Sequence, residues 1–431
     1  MAHPGTLPVA NKEAVRQVLR VGTAIGATLA DYSEFDRKNY FYPDIPKGYQ
    51  ISQYEHPLVM GGELAGVAVT RVHLEEDTAR SSHTTKTGRS VVDFNRAGVP
   101  LMELVTEPVI HDAETAVRFA KELQLLLRTL GASTANLEKG EMRIEANISV
   151  SPNETPSVAY VEVKNINSFR AVERAIAYEV ERQIALLERG EKLIKETRGW
   201  DEGKQQTFSQ RRKEGASDYR YFPEPDLPKM MVSEIPEFSE EVLRASLPEL
   251  PWERRARYAE LGLNENACAF LADGLARGAF FDAVISALDG SSELLVLASN
   301  YLISDVAGWY AKNGTDEYSG LDSESFAALV RLIGEGSLSS RGAKDVLLLM
   351  LEGDTRAPKE IAESAGLIQV NDPEELRRIV QEVLVGQPAA VKEFTEGKES
   401  ALQFLVGQTM KATRGAGNPS TLKSLLLEEL G

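Results

Sequence analysis

One cysteine, Cys268, stands in a chain of 431 residues. That rules out a disulfide framework and a cysteine-based zinc site. Its setting, Asn266-Ala267-Cys268-Ala269-Phe270, is apolar and helix-like, which marks a small buried residue and not a nucleophile. No apolar run approaches membrane-spanning length, and the first residues carry no signal-peptide pattern, so a cytoplasmic protein without a membrane partner is expected. Basic charge is in short supply: 48 Lys and Arg face 65 Asp and Glu, a net charge of −17. A simple nucleic-acid coat protein would carry the opposite field, although a local basic patch for a folded RNA remains open. There is no Walker A sequence and no Gly-rich dinucleotide turn, so any ATP site must be of another kind. Repeats and low-complexity segments are missing as well.

What is present begins with ample core. Hydrophobic residues make up 42% and charged residues 26%, the composition of a soluble globular chain of two to four domains. The stretch Thr70-Arg71-Val72-His73-Leu74-Glu75-Glu76-Asp77 alternates as a strand, placing Ala68, Val72, Leu74 and Glu76 on one face. A second strand, Leu101-Met102-Glu103-Leu104-Val105, puts Glu103 on a face with Leu101 and Val105. Bare charges on apolar faces are costly. If Glu76 and Glu103 converge, they suit a hard divalent cation with oxygen ligands. Alternatively each meets an arginine or a backbone amide at a strand end.

Asn11 reads as the cap of a first helix with Val15, Val18, Leu19, Gly22, Ile25 and Leu29 in its stripe. Phe35–Asp44 and Pro46–Gln53 are at once polar, aromatic and basic, and their prolines exclude a long helix. Asp93 and Asn95 share a face and either position a ligand or shape the turn at Gly98–Pro100, the turn being the commoner role. Asp112 caps a helix that ends at Gly131. Residues 141–150 and 159–164 alternate as an antiparallel hairpin. Ser168 opens a long helix with Val172, Ile176, Val180, Ile184 and Leu187 as its buried stripe. The cluster Lys164, Asn165, Asn167 and Ser168 at that helix start is a seat for an anion, although capping alone accounts for Ser168. Arg211-Arg212-Lys213 followed by Asp218-Tyr219-Arg220-Tyr221-Phe222-Pro223-Glu224-Pro225-Asp226 suits phosphate binding or base stacking, or else a rigid packed connection. Prolines at 236–251 mark a boundary, after which helices dominate, with a further break near 353–358. The expected fold is α+β multidomain. A mixed α/β domain with antiparallel sheet spans 1–235, a helical domain 236–355 and a small helical tail domain 356–431.

Phe35–Asp44, His73–Asp77, Asp93–Glu103, Lys164–Arg170, Asp218–Asp226 and Phe404–Pro419 together resemble the B subunit of the glutamyl/aspartyl-tRNA amidotransferase. The resemblance runs through nearly the whole chain in the same order. It implies a catalytic "cradle" domain at 1–235 and a heterotrimer with an amidase A subunit and a small C subunit. It also implies ATP and Mg²⁺ as cofactors, with mischarged tRNA(Gln) or tRNA(Asn) as substrate. The B subunit would phosphorylate the side-chain carboxylate of Glu or Asp on the tRNA, and ammonia from glutamine would then displace the phosphate. By resemblance Glu76 and Glu103 are metal ligands and, with Lys38, catalytic residues. Lys38, Tyr40, Tyr42 and Lys47, with Glu76, line an ammonia exit. The segment Lys164, Asn165, Asn167 and Ser168 lies near the nucleotide, and Lys411, Arg414 and Asn418 lie where such proteins touch tRNA. Family members also carry a strand with Gly-Leu-Glu-x-His ahead of the Pro4–Pro8 equivalent. This chain opens just past that point, which implies a truncated start, an incomplete metal shell and an exposed sheet edge. A second reading follows from it, that of a non-catalytic tRNA-binding scaffold.

Overall fold

The computed structural model describes residues 6–84, 88–151, 160–212, 219–314, 318, 320–369, 373–413, 417 and 419–431. They form two compact units, Met1–Leu250 and Pro251–Gly431.

The first unit is mixed α/β, built mainly on antiparallel pairings. Its main sheet runs Thr28–Leu29, Val59–Met60, Val67–Glu76, Pro100–Thr106, with Glu63–Leu64 hairpinned onto the long strand Val67–Glu76. The helix Lys12–Ala24 starts at Asn11, whose side chain accepts the Ala14 N–H. It buries Val15, Val18 and Leu19 against the sheet face that carries Val59 and Val72. Gly22 permits this close approach: a Cβ there would lie 2.6 Å from the Val59 side chain. The prolines near 236 do not end the unit, because a 3-10 turn, Pro236–Phe238, and the helix Glu240–Ala245 fold back on the first helix. Buried Arg20 holds the helix Glu240–Ala245 there by donating to the carbonyl of Ser246, its C-cap, and ties in the end of the helix Ala113–Thr129 by donating to the carbonyl of Leu130.

A second sheet follows the order Ile144–Ile148, Val161–Ile166, Glu196–Asp201, Gln206–Arg212. Its first pairing is the antiparallel hairpin expected from the alternation. The parallel pairing of Val161–Ile166 with Glu196–Asp201 needs a long crossover, which the helix Phe169–Glu188 supplies. That helix departs from its apolar periodicity. Ala171, Val172 and Ala175 face the sheet, and Glu179 and Gln183 are buried below them, while Ile184 is exposed. Small residues let the backbone approach closely, and Glu179 is satisfied there by Arg182, Gln183 and Thr207. A buried carboxylate held this way is tolerated where an unpaired one is not.

The second unit is helical. One apolar core extends from Tyr258 to Ala362 and includes Cys268, buried as expected. A separate core, Leu376 to Leu426, ties together the last four helices. Among the described residues, no helix is long and apolar enough to cross a membrane.

Candidate functional site

The pairing of the two acid-bearing strands decides the site. Glu103 stands opposite His73, Leu101 opposite Glu75, and Pro100 opposite Glu76. Residues opposite one another in an antiparallel pair share a face. Glu103 therefore joins His73 and Glu75, while Glu76 points to the other side. The expected convergence of Glu76 with Glu103 is corrected here: the partner is Glu75, one position earlier, because the even positions of the long strand face the helix-covered core. One potential ligand atom from each of His73, Glu75 and Glu103 lies within 4.8 Å of the others. His73 Nε2 is 3.3 Å from Glu75 Oε1 and 3.7 Å from Glu103 Oε2. His73 Nδ1 is buried without a hydrogen-bond partner.

A second layer holds this group in place. The strand Tyr49–Ser52 brings the Ser52 hydroxyl and the Gln50 amide to the Glu75 carboxylate. Gln53 accepts the Leu74 N–H. Strand Asp36–Asn39 pairs with Tyr49–Ser52 on one side and Phe222–Pro223 on the other, and presents Lys38 with Nζ 3.6 Å from Glu75 Oε1. Burial pushes Glu75 upward, but hydrogen bonding to His73 and the charge of Lys38 outweigh it and hold the carboxyl well below its usual range. Burial and the charge of Glu75 together push Glu103 upward. Burial would lower Lys38, yet the negative charge of Glu75 carries it above the ordinary lysine value. The site thus contains one firmly ionised carboxylate, one that resists ionisation, and one firmly charged ammonium.

The aromatic segments close over Lys38. Ring contacts run in sequence from Tyr42 to Tyr40, Tyr219, Tyr221 and Tyr54, and the last pair is stacked at 4.4 Å. Burial pushes the Tyr221 phenol up to about 12, so it stays a neutral hydrogen-bond donor. Tyr40 is likewise shifted upward, chiefly by burial. The Tyr219–Asp226 segment is anchored by Arg37, which grips Glu224 through two hydrogen bonds.

Glu76 has a different environment. Its carboxylate pairs with Lys47 and accepts the Ile51 N–H at 3.0 Å. Both side chains line a cavity of about 570 Å³ that also reaches Glu75, Asp77 and Tyr49. The remaining expected site residues lie apart from the cluster. Lys164, on the second sheet, is paired with Glu145 and Glu162. Ser168 caps its helix by accepting the Ala171 N–H, and Asn165 takes a left-handed backbone with φ +63°. Asn167 is exposed, as is Lys411 at the end of the helix Glu399–Ala412. Arg414, Asn418, Lys213 and Asp218 lie outside the described residues, as do the side chains of Arg211 and Arg212. Two members of the cluster, His73 and Glu75, were not singled out from the sequence. The alternation of apolar residues signals only the core face, and these two lie on the other.

The family described as the GatB/GatE catalytic domain matches residues 1–236, and the GatB domain family matches 279–430. The B subunit of the aspartyl/glutamyl-tRNA(Asn/Gln) amidotransferase of Thermus thermophilus is 44% identical over 433 residues, covering 99% of this chain and 90% of the relative. Its counterpart in Gloeothece citriformis is 41% identical over 452 residues, covering 100% of this chain and 90% of that one. That of Alkalilimnicola ehrlichii is 44% identical over 439 residues, with 99% and 90% covered. On this likeness across both units, the chain belongs to the GatB family, the B subunits of the aspartyl/glutamyl-tRNA(Asn/Gln) amidotransferases.

Proposed function

We propose that this chain is the subunit of a tRNA-dependent amidotransferase that activates the side-chain carboxylate of Glu-tRNA(Gln) or Asp-tRNA(Asn) with ATP and delivers it to ammonia. The observation that carries this is the His73, Glu75 and Glu103 cluster beside Lys38. One imidazole nitrogen and two carboxylates form a donor set compatible with Mg²⁺, which favours oxygen ligands and keeps part of its water shell. His73, Glu75 and Glu103 would hold the ion. When bound, Mg²⁺ offsets negative charge on phosphate oxygens and on the substrate carboxylate.

The chemistry then follows from the charges. An oxygen of the substrate carboxylate attacks the terminal phosphorus of ATP, the bond to ADP breaks, and a mixed acyl phosphate forms. Ammonia attacks the acyl carbon, phosphate leaves with the bonding pair, and one proton is lost to give the amide. Lys38, kept charged by Glu75, attracts the substrate carboxylate. Tyr221, kept neutral, donates a hydrogen bond without adding negative charge. Lys47 and Glu76 border the cavity next to the cluster, a route by which ammonia could arrive from an amidase A subunit. A small C subunit would complete the heterotrimer. Lys411 and the segment around it would meet the tRNA.

The test is single-turnover phosphorylation of Glu-tRNA(Gln) by the assembled enzyme. Glu75→Gln and Glu103→Gln should each abolish it while glutamine hydrolysis by the partner subunit continues. An unchanged phosphorylation rate in both variants would overturn the assignment. No feature of the site favours the binding-only scaffold over this reading.

A further inference from the structure

Arg71 occupies the long strand two positions before His73, so it shares the sheet face of His73, Glu75 and Glu103. It stands opposite Val105 on one neighbouring strand and opposite Met60 on the other. The other cations of the neighbourhood are committed. Lys38 is paired with Glu75, Arg37 with Glu224 and Asp226, and both Arg96 and Arg143 with Asp77. Arg71 is half-buried and makes no side-chain hydrogen bond, ion pair or ring contact among the described residues. Its Nε is buried without an acceptor. Leaving a buried donor unmade costs about 1–3 kcal/mol, more for a charged group, and native structures seldom accept that without a reason. Glu103 is the diagonal neighbour across the strand pair, yet no ion pair forms between them.

We infer that Arg71 binds the phosphoryl group at the reacting centre, with its planar fork directed at non-bridging oxygens. A guanidinium matches phosphate geometry through paired N–H donors and stays charged at any working pH. The face already provides two carboxylates for a cation, and a phosphoryl group between that cation and Arg71 would meet positive charge on both sides. This deepens the proposed phosphorylation reaction and rests on that reading. The contrary account is that the Arg71 stem covers Met60 and Val105 and its head has no ligand.

The experiment compares the wild type with Arg71→Met and Arg71→Lys as full chains in the assembled enzyme. ATP affinity is measured by calorimetric titration, and phosphorylation of Glu-tRNA(Gln) by single turnover. Arg71→Met is expected to weaken ATP binding roughly tenfold to a hundredfold, the loss of a charge-assisted contact. Added guanidinium ion at millimolar concentration should restore part of the turnover, which a packing role would not produce. Arg71→Lys keeps charge and stem, guards against misfolding of the methionine variant, and should recover only part of the affinity. If wild type phosphorylates the substrate while both variants match it in affinity and rate, this inference fails and the assignment of the site stands. If wild type itself does not phosphorylate, both fail together.

Discussion

Glu75 and Glu103 both face one imidazole, that of His73, yet their carboxyls shift in opposite directions: against its burial, Glu75 is held low by hydrogen bonding to His73 and the charge of Lys38, whereas burial and the charge of Glu75 push Glu103 up. Glu75 is buried and depressed, so it contributes stability above the ordinary carboxyl range and loses it as pH falls through its lowered value. Glu103 is raised, so the folded chain loses stability as pH rises through that raised value. With divalent ions chelated at about pH 7, Glu103→Gln should raise the melting temperature and Glu75→Gln should lower it. The Glu103 side chain keeps 43% exposure, so solvent screening makes its gain the smaller effect. Equal shifts of the same sign in thermal melts would contradict the opposed titration.

The same pair sets the pH dependence of cation binding. A protonated Glu103 is a poor ligand, so affinity for Mg²⁺ should fall on acidification while Glu75 is still ionised. Calorimetric titrations of Mg²⁺ at several pH values read this directly. In Glu103→Gln the acid-side fall should vanish along with most of the affinity.

Lys47 and Glu76 pair at the wall of the cavity that also reaches Glu75, with Glu76 on the opposite strand face from the three-ligand cluster. Lys47→Met leaves Glu76 half-buried with the Ile51 N–H as its remaining donor. If the cavity carries ammonia, amidation driven by glutamine should fall about tenfold or more, a barrier change above 1.4 kcal/mol. Amidation driven by added ammonium salt should fall much less. Parallel losses with both nitrogen sources would remove the cavity from the reaction path.

Local signals in the sequence reached the structure well. Asn11, Asp112 and Ser168 each cap the helix they precede, because a cap depends on the three residues that follow it. The turn at Gly98, with Asn95 bonded back to Asp93, was equally legible. The acidic strands were legible as strands, but their facing was not. Which glutamate meets Glu103 depends on register between two strands joined through a loop and a separate hairpin, and a shift of one residue exchanges Glu75 for Glu76. The sequence holds both at adjacent positions, so alternation alone could select only the one in line with the apolar row. Arg71 is invisible for a related reason, since an unpaired arginine is recognised only when its neighbours are known.

The helix Phe169–Glu188 shows the same limit in energetic form. Its apolar period nominates Ile184 as core and leaves Glu179 unremarked, yet Ile184 is 41% exposed and Glu179 fully buried. Glu179 receives the Arg182 guanidinium at two oxygens, the Gln183 amide and the Thr207 hydroxyl. Glu179→Ala leaves the Arg182 guanidinium without its carboxylate acceptor, while Arg198 keeps Glu196 and Thr207, and should cost about 3–5 kcal/mol, the usual penalty for breaking a buried ion pair. Ile184→Lys should change stability by no more than about 0.5 kcal/mol, as surface substitutions do. Urea denaturation of the two variants decides between periodicity and packing, and a larger loss for Ile184→Lys would refute the placement of this helix.

The close seat of the first helix gives the last test. Gly22 meets Val59 Cγ2 at 2.6 Å and Leu29 Cδ2 at 2.9 Å from the position its Cβ would occupy. Helix propensity alone would make alanine the better residue there by up to about 1 kcal/mol. The contact reverses that preference, because an added methyl must displace a helix from a sheet that also carries the catalytic candidates on its far face. Gly22→Ala should therefore destabilise by about 1–3 kcal/mol, the range for overpacking. Since Val59 pairs with Val72 next to His73, the displaced strand should also weaken Mg²⁺ binding. A stabilised Gly22→Ala variant in chemical denaturation would show that the helix is not seated on Val59.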